Sequence, residues 1–156
     1  SNVNCIFDRI GEIIATAPND LNDDELNSEI SKLQDESSIL LKILLPAFGK
    51  IRSLSWRSRA HARATVIIYA ILRYKKDHGE YPAELDVLVE SGYLKEMYKD
   101  PFSGDDFVYR VENGDFVLYS FGQDMDDDGG ILPKHRNGKR RLWGDGDGDA
   151  VFWPVK

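Results

Sequence analysis

The sequence predicts an α+β fold in which a long N-terminal helix packs on a small antiparallel sheet, with extra helices before it. A change of hydrophobic period carries this prediction. Before residue 79, apolar residues recur at helical spacings of three and four, and after residue 106 they alternate as in a strand. Helices that precede strands favour segregated helices beside an antiparallel sheet over alternating βα units.

Three helices are predicted in the first half of the chain, at 5–17, 22–45 and 47–78. Pro18 separates the first two, and Pro46 is expected to begin the third because proline is tolerated at the first helical position. The third helix is the longest, and its apolar face is expected to be buried. The residues of this face recur at three- and four-residue spacings: Ala60, Ala64, Ile67, Ile71 and Tyr74.

Three or four short antiparallel strands are predicted in the second half. Gly79 is expected to end the long helix, and a short helix at 82–91 follows it. Residues 107–112 alternate in polarity, and Asn113-Gly114 is a strong signal for a hairpin turn into a return strand at 116–121. A further strand is expected at 150–153.

Composition places the chain among soluble globular proteins. It has 156 residues, of which 42% are apolar and 30% charged. The net charge of −7 argues against general nucleic-acid binding, which needs a basic surface. The single cysteine, Cys5, excludes an internal disulfide and a cysteine zinc site. We divide the chain into a helical N-terminal extension, 1–45, and an α+β domain, 46–156.

The N-terminus begins with Ser1 rather than Met, and the chain has no apolar run of about 18 residues that could span a membrane. Nothing in the chain is therefore expected to span a membrane. The start at Ser1 indicates an engineered or processed N-terminus, so we expect a fragment whose targeting segment is missing.

Two aspartate-rich strings near the C-terminus are the most informative motifs. They place seven carboxylates among glycines: Asp124, Asp126, Asp127, Asp128, Asp145, Asp147 and Asp149. Two carboxylates held about 4 Å apart repel by roughly 4 kcal/mol at an effective dielectric of about 20. The strings therefore either splay into water or hold a cation. Because Asp and Gly also favour turn backbones, simple turns are the alternative.

Calcium fits these residues better than other metals, because it prefers oxygen ligands from carboxylates, carbonyls and water. Asp124, Asp126 and Asp128, followed by Gly129, match the opening of an EF-hand loop. His135 stands where that loop needs a bidentate Glu, so an EF-hand is excluded. Magnesium fits less well because it needs fewer protein oxygens, and zinc fits less well because the chain has no clustered Cys and His.

The stretch 134–141 between the two strings carries five fixed positive charges. It is either a docking surface for an acidic partner or a solvated loop that offsets the neighbouring aspartates.

No nucleophile elbow, phosphate loop or dinucleotide motif is present, so we expect a non-enzymatic protein. Trp143, Trp153 and Tyr119 could line a ligand groove, although core aromatics of a small sheet are the plainer interpretation.

Several short motifs follow one another in a specific order from about residue 58 onward. The first is the helix end at 70–79, with Glu80, Tyr81 and Pro82 behind it. The later ones are Leu85 and Leu88, Tyr93-Leu94, Asp100-Pro101-Phe102, Phe107 and Tyr109, the segment 119–124, Asp128-Gly129-Gly130, and Asp149 four residues before Trp153. With this order and spacing, residues from about 58 to 156 resemble the globular domain of the major pseudopilin of type II secretion systems, within the type IV pilin-like superfamily.

The resemblance implies a calcium ion that orders a C-terminal loop, here 119–153. Its ligands would include Asp124, Asp147 and Asp149, with a main-chain carbonyl near Phe121. Asp126 and Asp128 are added as candidates on their chemistry more than on the match.

The resemblance also implies a non-catalytic, polymerising subunit of an extracytoplasmic secretion assembly, periplasmic or at the cell surface and anchored in the membrane through a preceding segment. Its partners would be other protein subunits. Residues 1–45 have no counterpart in the pseudopilin pattern, and the basic stretch lengthens the calcium loop. The alternative is therefore a ligand- or protein-binding C-terminal module of a longer membrane-anchored surface protein that uses the same fold.

Overall fold

The computed structural model describes residues 8, 11–12, 39–134, 142–143 and 148–154. The chain divides into two compact units, residues 1–57 and 58–156, and the second contains the sheet. Of the predicted helix at 5–17, Asp8, Gly11 and Glu12 are described and are helical. The rest of that helix, and residues 22–38 of the next one, lie outside the described residues.

A single long helix, α1, runs from Ile39 to His78. It passes through Pro46, so the prediction that one helix ends at 45 and another begins at 47 was wrong. Proline inside a helix costs a hydrogen bond and crowds the preceding turn, but it does not end a helix whose flanks both continue the helical pattern. Among the described residues, no helix combines the length and apolarity needed to cross a membrane.

The predicted apolar face of α1 is buried except at Tyr74, which is half-buried. Ala60, Ala64, Ile67 and Ile71 have no exposed surface. This face packs on the sheet, and the ring of His61 lies 5.9 Å from that of Phe152. The small alanines allow the backbone of α1 to approach the sheet closely.

The short helix α2 spans Asp86–Glu90, which is less than the predicted 82–91. It buries Leu88 completely, in agreement with the predicted inward face. The chain leaves α2 at Gly92, which has a φ of 74°. A left-handed backbone of this kind favours glycine, and it ends the helix.

Three strands form one antiparallel sheet in the order β1-β2-β3: β1 at Val108–Glu112, β2 at Asp115–Ser120 and β3 at Ala150–Trp153. Asn113 and Gly114 both have positive φ, 54° and 80°, so the predicted hairpin turn is confirmed. The α+β prediction is confirmed at this level, with a long helix on a three-stranded antiparallel sheet.

The central strand β2 is the most buried element of the sheet. All its residues from 116 to 120 are buried. Tyr119 pairs with Val108 of β1 on one side and with Val151 of β3 on the other. The predicted aromatics pack in this core: the rings of Trp143 and Phe152 lie 5.9 Å apart, and those of Trp143 and Phe102 lie 5.7 Å apart. The end of β2 therefore has a fixed position, from which the aspartate-rich loop starts.

Candidate metal centre

The backbone brings the two aspartate strings together just before β3. The N–H of Asp149 donates to the carbonyl oxygen of Ile131 at 2.8 Å. A Cβ on Gly148 would lie 2.6 Å from backbone atoms of Pro133 and 2.9 Å from the Ile131 carbonyl oxygen. Because real Cβ atoms do not approach so closely, glycine is required at position 148. The loop that follows β2 is thus pressed against the start of β3.

Asp149 is the central acidic residue of this region. It is fully buried, and its Oδ2 accepts the N–H of Gly130 at 2.7 Å. Its Oδ1 is also buried and makes no hydrogen bond to any described residue. A buried carboxylate oxygen without a donor is costly, because the charge has lost its hydration without replacement.

The electrostatic surroundings of Asp149 add to that cost. Burial raises the pKa of Asp149, the N–H groups of Gly130 and Asp128 oppose the rise, and the negative charges of Asp127 and Asp128 increase it. These carboxylates are therefore close enough for their charges to act on one another. A cation at the open oxygen of Asp149 would remove both the desolvation cost and the repulsion.

Asp124 lies beside the backbone of Gly122 at the start of the loop. A Cβ on Gly122 would lie 4.0 Å from Oδ1 of Asp124 and 3.8 Å from the carbonyl oxygen of Gly148. Gly122 has a φ of 79°, which glycine adopts without strain. A carboxylate of the first string and a main-chain oxygen of the second thus lie close to the same glycine. Both are oxygen donors of the kind that calcium prefers.

Asp128 belongs to the same group. Its backbone N–H donates to the carboxylate of Asp149, and its own charge raises the Asp149 pKa. One of its carboxylate oxygens, Oδ2, is buried. Asp124, Asp128 and Asp149, all predicted from the sequence, are therefore found around the junction of the two strings.

Two other aspartates of the first string serve the turn itself. Asp127 Oδ1 accepts hydrogen bonds from the Tyr119 hydroxyl and the Gly129 N–H, both at 2.9 Å. Asp126 is exposed, and its Oδ1 accepts the N–H of Asp127 at 3.0 Å. The turn interpretation therefore applies to these two residues, and metal ligation by Asp126 stays a prediction.

The remaining predicted ligands are Phe121 and Asp147. Phe121 directly follows β2, with its ring 6.4 Å from that of Tyr119, and its main chain leads into Gly122. Asp147 lies outside the described residues, as do Asp145 and residues 135–141 of the basic stretch. Within the described part of the chain, no three acidic, His or Cys side chains form a metal-binding group by themselves. A calcium site here would therefore need main-chain oxygens, water or Asp147 in addition.

Arg110 of β1 also fastens the loop. Its guanidinium donates to the carbonyl oxygen of Gly129 at 2.8 Å and to the Tyr119 hydroxyl at 3.3 Å. Burial, and next the hydrogen bond to Asp127, raise the pKa of Tyr119 to about 12. Tyr119 thus packs beneath the loop and holds it, which is a structural role and not that of a groove residue.

Asp100 is a buried carboxylate that was singled out in the sequence only as part of the Asp100-Pro101-Phe102 motif. It is 2% exposed, and its Oδ2 accepts the hydroxyl of Ser120 at 2.7 Å and that of Ser103 at 3.3 Å. Its Oδ1 accepts the N–H of Phe102 at 3.1 Å. Burial raises the pKa of Asp100, while these hydrogen bonds, led by that from Ser120, oppose the rise. The segment Asp-Pro-Phe-Ser carries the local signal for such a turn, but not the contact with Ser120.

Comparison with known proteins gives no match to any family model, curated protein or solved structure.

Proposed function

We propose that the chain is a non-catalytic, pilin-like structural module of an extracytoplasmic assembly of the type II secretion or pseudopilus kind, and that calcium holds its C-terminal loop. The observation that carries the calcium part is the buried Oδ1 of Asp149, which makes no hydrogen bond to a described residue. The pilin-like part is supported by the order of the sequence motifs and by the arrangement of one long helix on a small antiparallel sheet.

The donor chemistry supports calcium rather than a softer metal. Asp124, Asp128 and Asp149 supply carboxylate oxygens near the junction, and Gly148 supplies a main-chain oxygen. Calcium takes about six to eight oxygens in flexible geometry and accepts carbonyls and water among them. When bound, the ion would neutralise the mutual repulsion of the carboxylates. Asp147 and the carbonyl near Phe121 complete the proposed ligand set.

A structural role for the ion follows from what surrounds it. Hydrogen bonds with Arg110 and Tyr119 fasten this loop to β1 and β2, so an ion at Asp149 would also hold it to the start of β3. Extracellular calcium modules work with dissociation constants of about 10⁻⁴ to 10⁻³ M, which suits a protein that acts outside the cytoplasm. Its partners would be protein subunits of the assembly, and its membrane anchor would precede residue 1.

The second candidate is a ligand- or protein-binding module of a membrane-anchored surface protein. A cavity of about 190 Å³ beside α2 and β1 favours it, with Glu84, Asp86, Asp106 and Tyr109 in its wall. This volume is below the roughly 300 Å³ at which small-molecule sites begin, so a side chain of a protein partner fits it better.

Thermal unfolding with calcium and with a chelator tests the calcium part. We expect the Tm to rise clearly in millimolar calcium, because an ion that binds only the folded state stabilises it. Asp149→Asn keeps the side-chain shape and should abolish the rise, and Asp124→Ala should reduce it. Glu96→Gln changes an exposed acidic residue outside the segment 119–153, so it is the matched control and should respond like the unmodified protein. Equal Tm values in calcium and chelator would refute the calcium site.

Assembly is tested separately. Cross-linking in cells of the source organism should capture the full-length protein in contact with secretion subunits. Recovery instead of a single partner protein outside the secretion machinery, lost on Asp106→Asn, would favour the binding module.

A further inference from the structure

A buried relay of hydrogen bonds connects the turn at Asp100 to the start of the aspartate-rich loop. Ser120, the last residue of β2, has no exposed surface. Its hydroxyl donates to Oδ2 of Asp100 at 2.7 Å and accepts the N–H of Gly122 at 3.0 Å. The hydroxyl therefore uses its donor on one partner and an acceptor position on the other.

The relay ends at the point where the candidate calcium donors meet. Gly122 has a left-handed backbone and lies beside Oδ1 of Asp124 and the carbonyl oxygen of Gly148. Fixing the Gly122 amide therefore fixes the direction in which the chain turns toward Asp124. The proposed centre depends on this turn because Phe121 directly precedes Gly122 and Asp124 follows it by two residues.

We propose that Asp100 is a positioning residue for the calcium loop, acting through the Ser120 hydroxyl on the Gly122 amide. The inference rests on the proposed calcium site, but the relay itself is a property of the metal-free fold. The sequence alone does not indicate that the turn at 100–104 contacts the calcium loop, because Asp100 and Gly122 are far apart along the chain.

The surroundings of Asp100 suit this role. Its carboxylate is held by the Phe102 N–H on one side and by Ser103 and Ser120 on the other, so it has little freedom to move. The N–H of Asp100 also donates to the carbonyl oxygen of Asp105, which closes the turn. A buried acceptor held at several points gives the Ser120 hydroxyl one preferred direction. Because the Gly122 turn is held in this way, Asp124 loses less conformational freedom when an ion binds.

Ser103 and Ser120 provide a matched pair of variants, since both hydroxyls donate to Oδ2 of Asp100 and only that of Ser120 accepts from Gly122. Calcium binding to the full chain is measured by isothermal titration well below the Tm. We expect Ser120→Ala and Asp100→Asn to bind calcium roughly tenfold more weakly, which corresponds to the loss of about one hydrogen bond. Ser103→Ala should bind within about twofold of the unmodified protein.

Amide hydrogen exchange in the metal-free protein gives a second readout that does not need the ion. We expect the Gly122 amide to exchange faster in Ser120→Ala and Asp100→Asn, and to be unchanged in Ser103→Ala. Should Ser120→Ala fail to fold, Asp100→Asn carries both measurements.

The outcomes separate the two proposals. An unmodified protein that does not bind calcium would refute the calcium site and this inference together. If all three variants bind calcium as tightly as the unmodified protein, the inference about Asp100 is refuted and the calcium site is not. Equal weakening by Ser103→Ala and Ser120→Ala would also overturn it, because general destabilisation of the Asp100 turn would then explain the loss.

Discussion

The indole of Trp153 lies flat on the ring of Phe116, with centroids 5.2 Å apart and planes 4° from parallel. The same indole donates from Nε1 to Oδ1 of Asp115 at 3.0 Å. That oxygen also accepts the Tyr81 hydroxyl at 3.1 Å and the Phe116 N–H at 2.8 Å. One carboxylate at the start of β2 thus connects β3 with the segment that precedes α2.

Replacing Trp153 with Phe should destabilise the fold by about 1–2 kcal/mol. The variant loses the hydrogen bond to Asp115 and part of the stacked area on Phe116, but it keeps an aromatic ring at this position. Urea unfolding followed by circular dichroism measures the change. Tyr81→Phe removes a different hydrogen bond from the same carboxylate and should cost less. A Trp153→Phe variant as stable as the parent would show that the indole contact contributes nothing.

Asp115 should make the protein less stable in acid. The hydrogen bond from Trp153, together with those from Phe116 and Tyr81, lowers the pKa of Asp115 below its ordinary value of 3.8. A lowered folded-state pKa gives stability that is present above pH 3.8 and is lost as the pH falls through the folded-state pKa.

The measurement is the pH dependence of the unfolding free energy between pH 5 and 2, compared with Asp115→Asn. The loss of stability in acid should be shallower in the variant, because that residue no longer titrates. Identical slopes would contradict the role assigned to Asp115. Asp100 contributes with the opposite sign, since burial raises its pKa, and it is present in both proteins.

Gly148→Ala should be among the most damaging single changes in the loop, at roughly 3 kcal/mol or more. Its φ is 134°, and the added Cβ would meet the backbone of Pro133 at 2.6 Å. Gly129→Ala is the control, because Gly129 has a φ of 70° and nothing lies within 4 Å of an added Cβ. The control measures backbone strain alone, at about 1 kcal/mol. Equal Tm losses in the two variants would mean that the junction yields to the extra methyl group.

Arg110→Lys should loosen the loop while the sheet remains folded. A lysine cannot reproduce the planar fork that reaches the Gly129 carbonyl and the Tyr119 hydroxyl together. We expect faster amide exchange at Gly129 and Gly130, with a stability loss of about 1 kcal/mol. Lys95→Arg, at an exposed position, is the control for a lysine–arginine exchange that keeps the charge. Exchange that is unchanged in Arg110→Lys would remove Arg110 from the account of the loop.

The parts of the fold that depend on local pattern were predictable. Alternation located the strands, and Asn113-Gly114 located the hairpin, since both signals lie within a few residues. The break at Pro46 was predicted from a local preference, which the continuing helical pattern on both sides overrode.

The residue types of the candidate site could be predicted from the sequence. The separate role of each aspartate could not. The spacing of the first string selected Asp124, Asp126 and Asp128 alike. Only the fold shows that the Tyr119 hydroxyl donates a hydrogen bond to Asp127. The burial of Asp149 depends on Ile131 and Gly130, and the relay from Asp100 depends on Ser120. These contacts join residues that are about 20 positions apart in the sequence, so no local pattern could predict them.

The way β3 pairs with β2 has a consequence for the order in which the sheet forms. β1 and β2 are joined by a two-residue turn, whereas β3 reaches Tyr119 and Ser120 only after the excursion at 121–149 has closed. By the logarithmic dependence on loop length, this closure costs on the order of 2 kcal/mol more conformational entropy than the turn. The hairpin should therefore form first and persist longest, and β3 should be the strand that joins last and detaches first.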